Sequence, residues 1–166
     1  RSAIVGWGVV DYVGNRFAPV DFGAVCTDAG VPFERRLDEV YTGVKEVIER
    51  TKPEVLAIEK LFYQHNQTTV IGVAEARGVI LLAAAQAGLP IYEYTPMQIK
   101  QAVVGTGAAD KTQVTYMVRT LLHLDHDPKP DHAADALACA VCHAHLHRTR
   151  ELSGGAYTQE KGNPYA

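Results

Sequence analysis

The chain has 166 residues, 47% of them apolar and 21% charged, with a net charge of -3. That is enough for one well-buried core and too little for two ordinary domains. A membrane span would need roughly 18 or more consecutive apolar residues, and neither that nor a charged-then-apolar leader occurs, so the expected compartment is the cytoplasm.

The opening stretch, AIVGWGVVDYVGNRFAPVDFGAVCT, predicts two strands over residues 3–10 and 17–27. Gly14-Asn15 between them supplies the positive φ of a hairpin turn. Residues 34–50 place Leu37, Val40, Tyr41, Val44, Val47 and Ile48 three and four apart, which predicts an amphipathic helix. KPEVLAIE then reads as a short buried strand whose last residue, Glu59, opens onto a site. The Ala- and Leu-rich run over 69–87, closed by Gly88, predicts a largely buried helix. LPIYEYTP is the next strand, and helices follow over 110–124 and, after Pro128 and Pro130, over about 131–147. The order β, β, α, β, α, β, α, α argues for an α/β domain over residues 1–150, a mixed sheet with helices on both faces. Residues 151–166 are polar and turn-rich, the composition of a flexible tail.

The side chains with chemical potential gather in KPDHAADALACAVCHAH, residues 129–145. Helical spacing puts His132 with Asp135, and Asp131 with Asp135, on shared faces, a carboxylate and imidazole set suited to Mg²⁺- or Mn²⁺-assisted hydrolysis. Asp131 after Pro130 reads equally as an N-terminal cap. Glu59 adds weight to the metal reading, because a lone carboxylate ending an apolar strand costs desolvation unless it is paired or binds a cation. Cys139, Cys142, His143, His145 and His147 have the density of a zinc site but lack the distant second ligand pair such sites use. The three cysteines are odd in number and suit reduced thiols better than a disulfide framework. Lys100 and Lys111 flank a Gly105/Gly107 loop that leads into a helix and could meet a phosphate, or could be solvated surface lysines. Phe62 and Tyr63, just after Glu59, could stack on an unpaired base or anchor their loop. With an acidic total charge, any polyanion must meet basic residues gathered on one face.

Taken together, AIEKLFYQHN, EARGVILLAAA, YEYTPMQIKQAVVGTGAADKTQV and DHAADALACAVCHAH resemble the RuvC-type Holliday junction resolvases, in order and across nearly the whole chain. The resemblance implies an RNase H-like fold and a homodimer. It implies paired symmetric nicks in a four-way DNA junction during recombination and repair, by hydrolysis with about two Mg²⁺ ions per site. A branch-migration complex is the implied partner. Position by position it assigns catalysis and metal binding to Glu59, His132 and Asp135, base stacking to Phe62, and contacts near the scissile phosphate to Lys100 and Lys111. Asp131 then falls on a non-catalytic position, as a cap. Many family members carry aspartate where this sequence has His132, and an imidazole there would make the ligand pH-sensitive near neutrality.

One departure is larger. The family opens with a central strand ending in an Asp-Pro-Gly-like motif whose aspartate is the first catalytic carboxylate. This sequence starts just after that motif, with RSAIVGWGVV matching the family's next strand. Asp11 lies at the hairpin end and is no substitute. The expectation is that the biological protein carries the motif, since a chain without it should expose two strand edges and lose most of its catalysis. Two rival readings remain: another RNase H-like nuclease with a different substrate, and a catalytically silent junction-binding module.

Overall fold

The structure, a computed structural model, describes residues 3–60 and 67–152. Strands β1 (Ala3–Val13) and β2 (Arg16–Thr27) form the expected antiparallel hairpin, with Gly14 at φ 56° and Asn15 at φ 82° in the turn. The pairing runs the full length of both strands, so β1 continues three residues past its predicted end, with a register shift between Val9 and Val10. Helix α1 (Phe33–Thr51) follows, buries Val40 and ends at Lys52, which turns left-handed and donates its backbone N–H to the Ile48 carbonyl. Strand β3 (Leu56–Glu59) pairs in parallel with β4 (Ile91–Tyr94), and α2 (Gln67–Gln86) connects them.

Three helices complete the chain: α3 (Pro96–Val104), α4 (Lys111–Leu121) and α5 (Asp131–Leu152). The sequence reading has no counterpart to α3. Its start signal is nevertheless local: Thr95 accepts from the Gln98 N–H at 3.0 Å, the Gln98 side chain accepts from the Thr95 N–H at 2.8 Å, and Pro96 occupies the first turn. Gly105, at φ 95°, ends α3, so the Gly105/Gly107 loop is a helix terminus rather than a phosphate cradle. One of the amides opening α4 is likewise taken, since Asp110 accepts from the Gln113 N–H at 2.8 Å. Asp131 begins α5 as a first-turn acid rather than preceding it as a cap.

Among the described residues the strands form two two-stranded sheets, one antiparallel and one parallel, where the sequence predicts one mixed sheet. Helix α5 packs against all four strands and so joins the two pairs into one layer. Its buried face, with Leu137, Ala138, Val141 and Cys142, meets Phe17, Tyr94, Ile99, Val103, Val118 and Leu122 in the core. Each large apolar side chain fully enclosed there stabilises the fold by about 1.5–3 kcal/mol before the entropy of ordering it. On the other side α1 contacts β2 and α2, and Tyr41 donates to the Gln86 side chain.

Helix α2 is the second departure. Its predicted burial fails, for Ile71, Val73 and Leu82 are 59%, 48% and 53% exposed, and among its described side chains only Ala83 and Ala84 are enclosed. A helix apolar on every face cannot bury them all against α1 and the edge of a two-stranded sheet.

The register of α5 over β3–β4 is set by aromatic contacts. The Tyr94 hydroxyl lies 2.6 Å from His143 Nδ1, and the Tyr92 and His143 rings are 4.5 Å apart. Burial, then the neighbouring His147, pushes the His143 imidazole down from 6.5 to about 4. The unfolded chain therefore takes up this proton first, and stability present above pH 6.5 is lost as pH falls through about 4. Substituting His143→Gln should flatten that acid loss by up to about 3 kcal/mol, read from urea unfolding at about pH 7 and about pH 4.5.

Candidate active site

Glu59 is the last residue of β3, level with Tyr94 of β4, and Lys60 N–H donates to the Tyr94 carbonyl at 2.8 Å just beyond it. Ends of parallel strands collect sites because the helices that follow them leave a crevice there. The period of two puts Glu59 on the same face as Ala57, which packs against the core under α5. On α5, spacings of four carry Asp135, Cys139 and His143 along one face over the same strands.

The electrostatics fit that placement. The Glu59 carboxyl is pushed up, first by burial and then by the negative charge of Asp135, while Lys100 pulls it down. It keeps exposed surface, so only its inner side is shielded from water. Asp135 in turn lies 3.7 Å from Lys111 Nζ, and Asp131 lies 3.9 Å from the same nitrogen. These side chains are all more than half exposed, so each pair contributes under about 1 kcal/mol to stability. Lys111 is also the first residue of α4, the end where the helix dipole disfavours a cation. What it gains there is the company of two carboxylates, so the position answers to charge at the site rather than to helix stability.

Five of the residues singled out from the sequence are thus electrostatically linked: Glu59 with Asp135 and Lys100, and Lys111 with Asp135 and Asp131. His132 does not join them in the same way. It stands exposed on the first turn of α5, and its imidazole makes no hydrogen bond or ion pair among the described residues. Phe62 and Tyr63 lie outside the described residues, as do residues 153–166 of the expected tail.

Among the described residues, no group of three or more His, Cys, Asp or Glu side chains is set to hold a metal ion. Glu59 and Asp135 nevertheless fit two ligands of a hard divalent cation: both are carboxylates, and their mutual repulsion is what a cation between them would relieve. The zinc-like residues have other occupations. Burial pushes the Cys139 and Cys142 thiols up to about 12, Cys142 contacts the Gln98 carbonyl at 3.7 Å, and His145 Nδ1 lies 2.9 Å from the Ala102 carbonyl. Cys26 is exposed, and all three cysteines are free.

Sequence reasoning assigns no separate role to Arg77. Its Nε donates to the Glu59 carbonyl at 3.3 Å, and its Nη2 lies 3.0 Å from Glu93 Oε1 of β4. The only sequence signal for it is a lone guanidinium in the otherwise apolar run from Val73 to Ala85, broken by Glu75.

The family profile described as crossover junction endodeoxyribonuclease RuvC matches residues 1–143. A protein of that name from Caldanaerobacter subterraneus subsp. tengcongensis is 51% identical over 152 residues, 92% of each chain. Its namesake from Pelotomaculum thermopropionicum is 54% identical over 144 residues, 87% of this chain and 88% of its own. Among solved structures, T. thermophilus RuvC in complex with Holliday junction substrate superposes with a TM-score of 0.82 at 36% identity, covering 88% of this chain and 95% of that one.

Proposed function

The chain belongs to the RuvC family of crossover junction endodeoxyribonucleases, and on that premise we propose that Glu59 and Asp135 form the metal-binding heart of a site that nicks four-way DNA junctions. The observation that carries the reading is the convergence of these two carboxylates with Lys100 and Lys111 at the end of the parallel strand pair. The fold is RNase H-like, as its solved relatives indicate.

In this reading Mg²⁺, two ions per site, would be held by Glu59, Asp135 and His132, with the upstream aspartate that the family pattern implies. Mn²⁺ would serve in its place. When bound, such ions supply Lewis acidity at the phosphate and a more acidic water. The protein's own part is positional. Asp135 and Glu59 stand at a helix start and a strand end, two rigid elements, close enough for the charge of one to raise the carboxyl of the other. Lys100 and Lys111 offset the phosphate's charge as it grows in the transition state. Lys111, held between Asp131 and Asp135, is free to shift from them toward a bound phosphate. Phe62 stacks on an unpaired base to keep the junction open.

The apolar side chains exposed on α2, Ile71, Val73 and Leu82, support a homodimer, which paired nicks at symmetric positions require. A branch-migration complex as further partner, and a cytoplasmic setting, come from the family reading. No described helix is long and apolar enough to cross a membrane.

The test compares a synthetic four-way junction, linear duplex and RNA–DNA hybrid with Mg²⁺, using the chain extended through the upstream strand. Nicking confined to the junction is expected. Equal cutting of all three would favour a different RNase H-like nuclease, and tight junction binding without cleavage would favour a silent binding module.

A further inference from the structure

Arg77 is the only cationic residue of α2, and its side chain is only 18% exposed. A guanidinium withdrawn this far from water is costly unless its contacts compensate. Among the described residues, its polar contacts are at the site end of the parallel pair. One is the backbone carbonyl of Glu59, at 3.3 Å from Nε. The other is Glu93, at 3.0 Å from Nη2, a charge contact that falls short of hydrogen-bond geometry. Glu93 stands opposite Ile58 in the β3–β4 register, so one planar group spans the last rungs of both strands.

We propose that Arg77 is a positioning residue for the nicking reaction: by gripping the Glu59 carbonyl and Glu93 together it fixes the end of β3, and with it the direction in which the Glu59 side chain meets Asp135. The inference rests on the reading of Glu59 and Asp135 as metal ligands. Several features make it more than a structural tie. The grip is on the backbone of the very residue whose side chain carries the chemistry. The strand it steadies is four residues long, with few rungs of its own to hold its end in place. The group is an arginine, which can bond the carbonyl through Nε while keeping its charge against Glu93 through Nη2, where a lysine ammonium would have to choose between them.

The experiment uses the full-length protein and two variants, Arg77→Lys and Arg77→Met. Single-turnover nicking of a four-way junction, junction affinity without divalent metal, Mn²⁺ binding by electron paramagnetic resonance, and thermal melting are measured on each. The nicking rate and Mn²⁺ affinity are expected to fall roughly 10- to 100-fold in both variants, the range for losing a group that orients a metal ligand. Junction affinity should stay at the wild-type value, and Arg77→Lys should melt as the parent does. Wild-type rate and Mn²⁺ affinity in a folded Arg77→Lys would overturn the proposal. So would a rate loss matched by equal loss of junction affinity, or both variants being unfolded at the assay temperature, since either makes Arg77 a general fold residue. Glu59→Gln separates the two levels. If it keeps rate and Mn²⁺ affinity, the ligand reading itself fails; if it loses both while Arg77→Lys keeps both, only the positioning role fails.

Discussion

Glu59→Gln is expected to yield a protein that folds, binds a four-way junction and does not nick it. The substitution preserves shape and removes one charge from a place where the fold does not favour charge. Burial and Asp135 both raise the Glu59 carboxyl above its ordinary range, so the folded state holds this proton more tightly than the unfolded chain does. Stability from this group therefore declines as pH rises through the raised value, and at neutral pH the carboxylate is a net burden on the fold. The amide removes that burden, and melting at neutral pH should be unchanged or higher. Junction affinity measured without metal should be unchanged or tighter, because a negative charge near the phosphates is gone. Nicking should fall by more than the roughly 10- to 100-fold that loss of a mere orienting group costs a metal site. Single-turnover cleavage, filter or gel binding, and calorimetric melting report the three effects separately. Near-normal nicking by Glu59→Gln would take Glu59 out of the chemistry, and a fall in melting temperature would contradict the electrostatic account of its surroundings.

Legibility in the sequence tracks the range of the interactions involved. The hairpin turn at Gly14-Asn15, the amphipathic α1 and the strand ending in Glu59 are written in local spacing, and they stand where expected. Helix α3 is equally local, since Thr95, Pro96 and Gln98 are a complete start signal. It is short, and its apolar residues Ile99, Ala102 and Val103 lie in a run that ends in glycines, so loop chemistry masked it. The sequence leaves open whether α2 meets the core or a second copy. Composition distinguishes apolar from polar, yet an apolar residue against the chain's own core and one left for a partner read identically. At the site, carboxylates and lysines could be singled out by residue type, because desolvated or clustered charge needs a reason. Arg77 could not, because its meaning lies in a backbone carbonyl 18 residues away in sequence. His132 shows the converse limit. Helical period sets it beside Asp135, but period says nothing of whether a side chain turns toward the strand end or away from it.

Gly6→Ala should disable the protein by a route that changes no ligand side chain. A Cβ at this position of β1 would lie 2.0 Å from the carbonyl oxygen of His132, 2.1 Å from its carbonyl carbon and 2.7 Å from the Ala133 nitrogen. All three are backbone atoms of the first turn of α5, so no rotamer change relieves the overlap. Either the hairpin or the helix start must move. The hairpin is tied along its whole length, with Gly6 opposite Ala24, and α5 is held further along by Leu137, Val141 and the His143–Tyr94 contact. The part left to yield is the first turn itself, which carries His132 and leads to Asp135. The loss of stability should reach or exceed about 3 kcal/mol, the upper end for adding a methyl group to a packed interior. Gly43→Ala is the control. Its Cβ would meet only side-chain atoms, Val25 Cγ2 at 2.6 Å and Cγ1 at 3.2 Å, and alanine is favoured over glycine within a helix by about 1 kcal/mol, so its cost should be smaller than that of Gly6→Ala. Urea unfolding of the two variants measures the difference, and nicking measured well below the melting temperature asks the second question. Because a displaced first turn moves Asp135 away from Glu59, Gly6→Ala should lose activity even while folded, whereas Gly43→Ala should keep it. Equal stability of the two variants would mean that β1 and the start of α5 do not meet backbone to backbone, and that the site's geometry is set from the β3–β4 side alone.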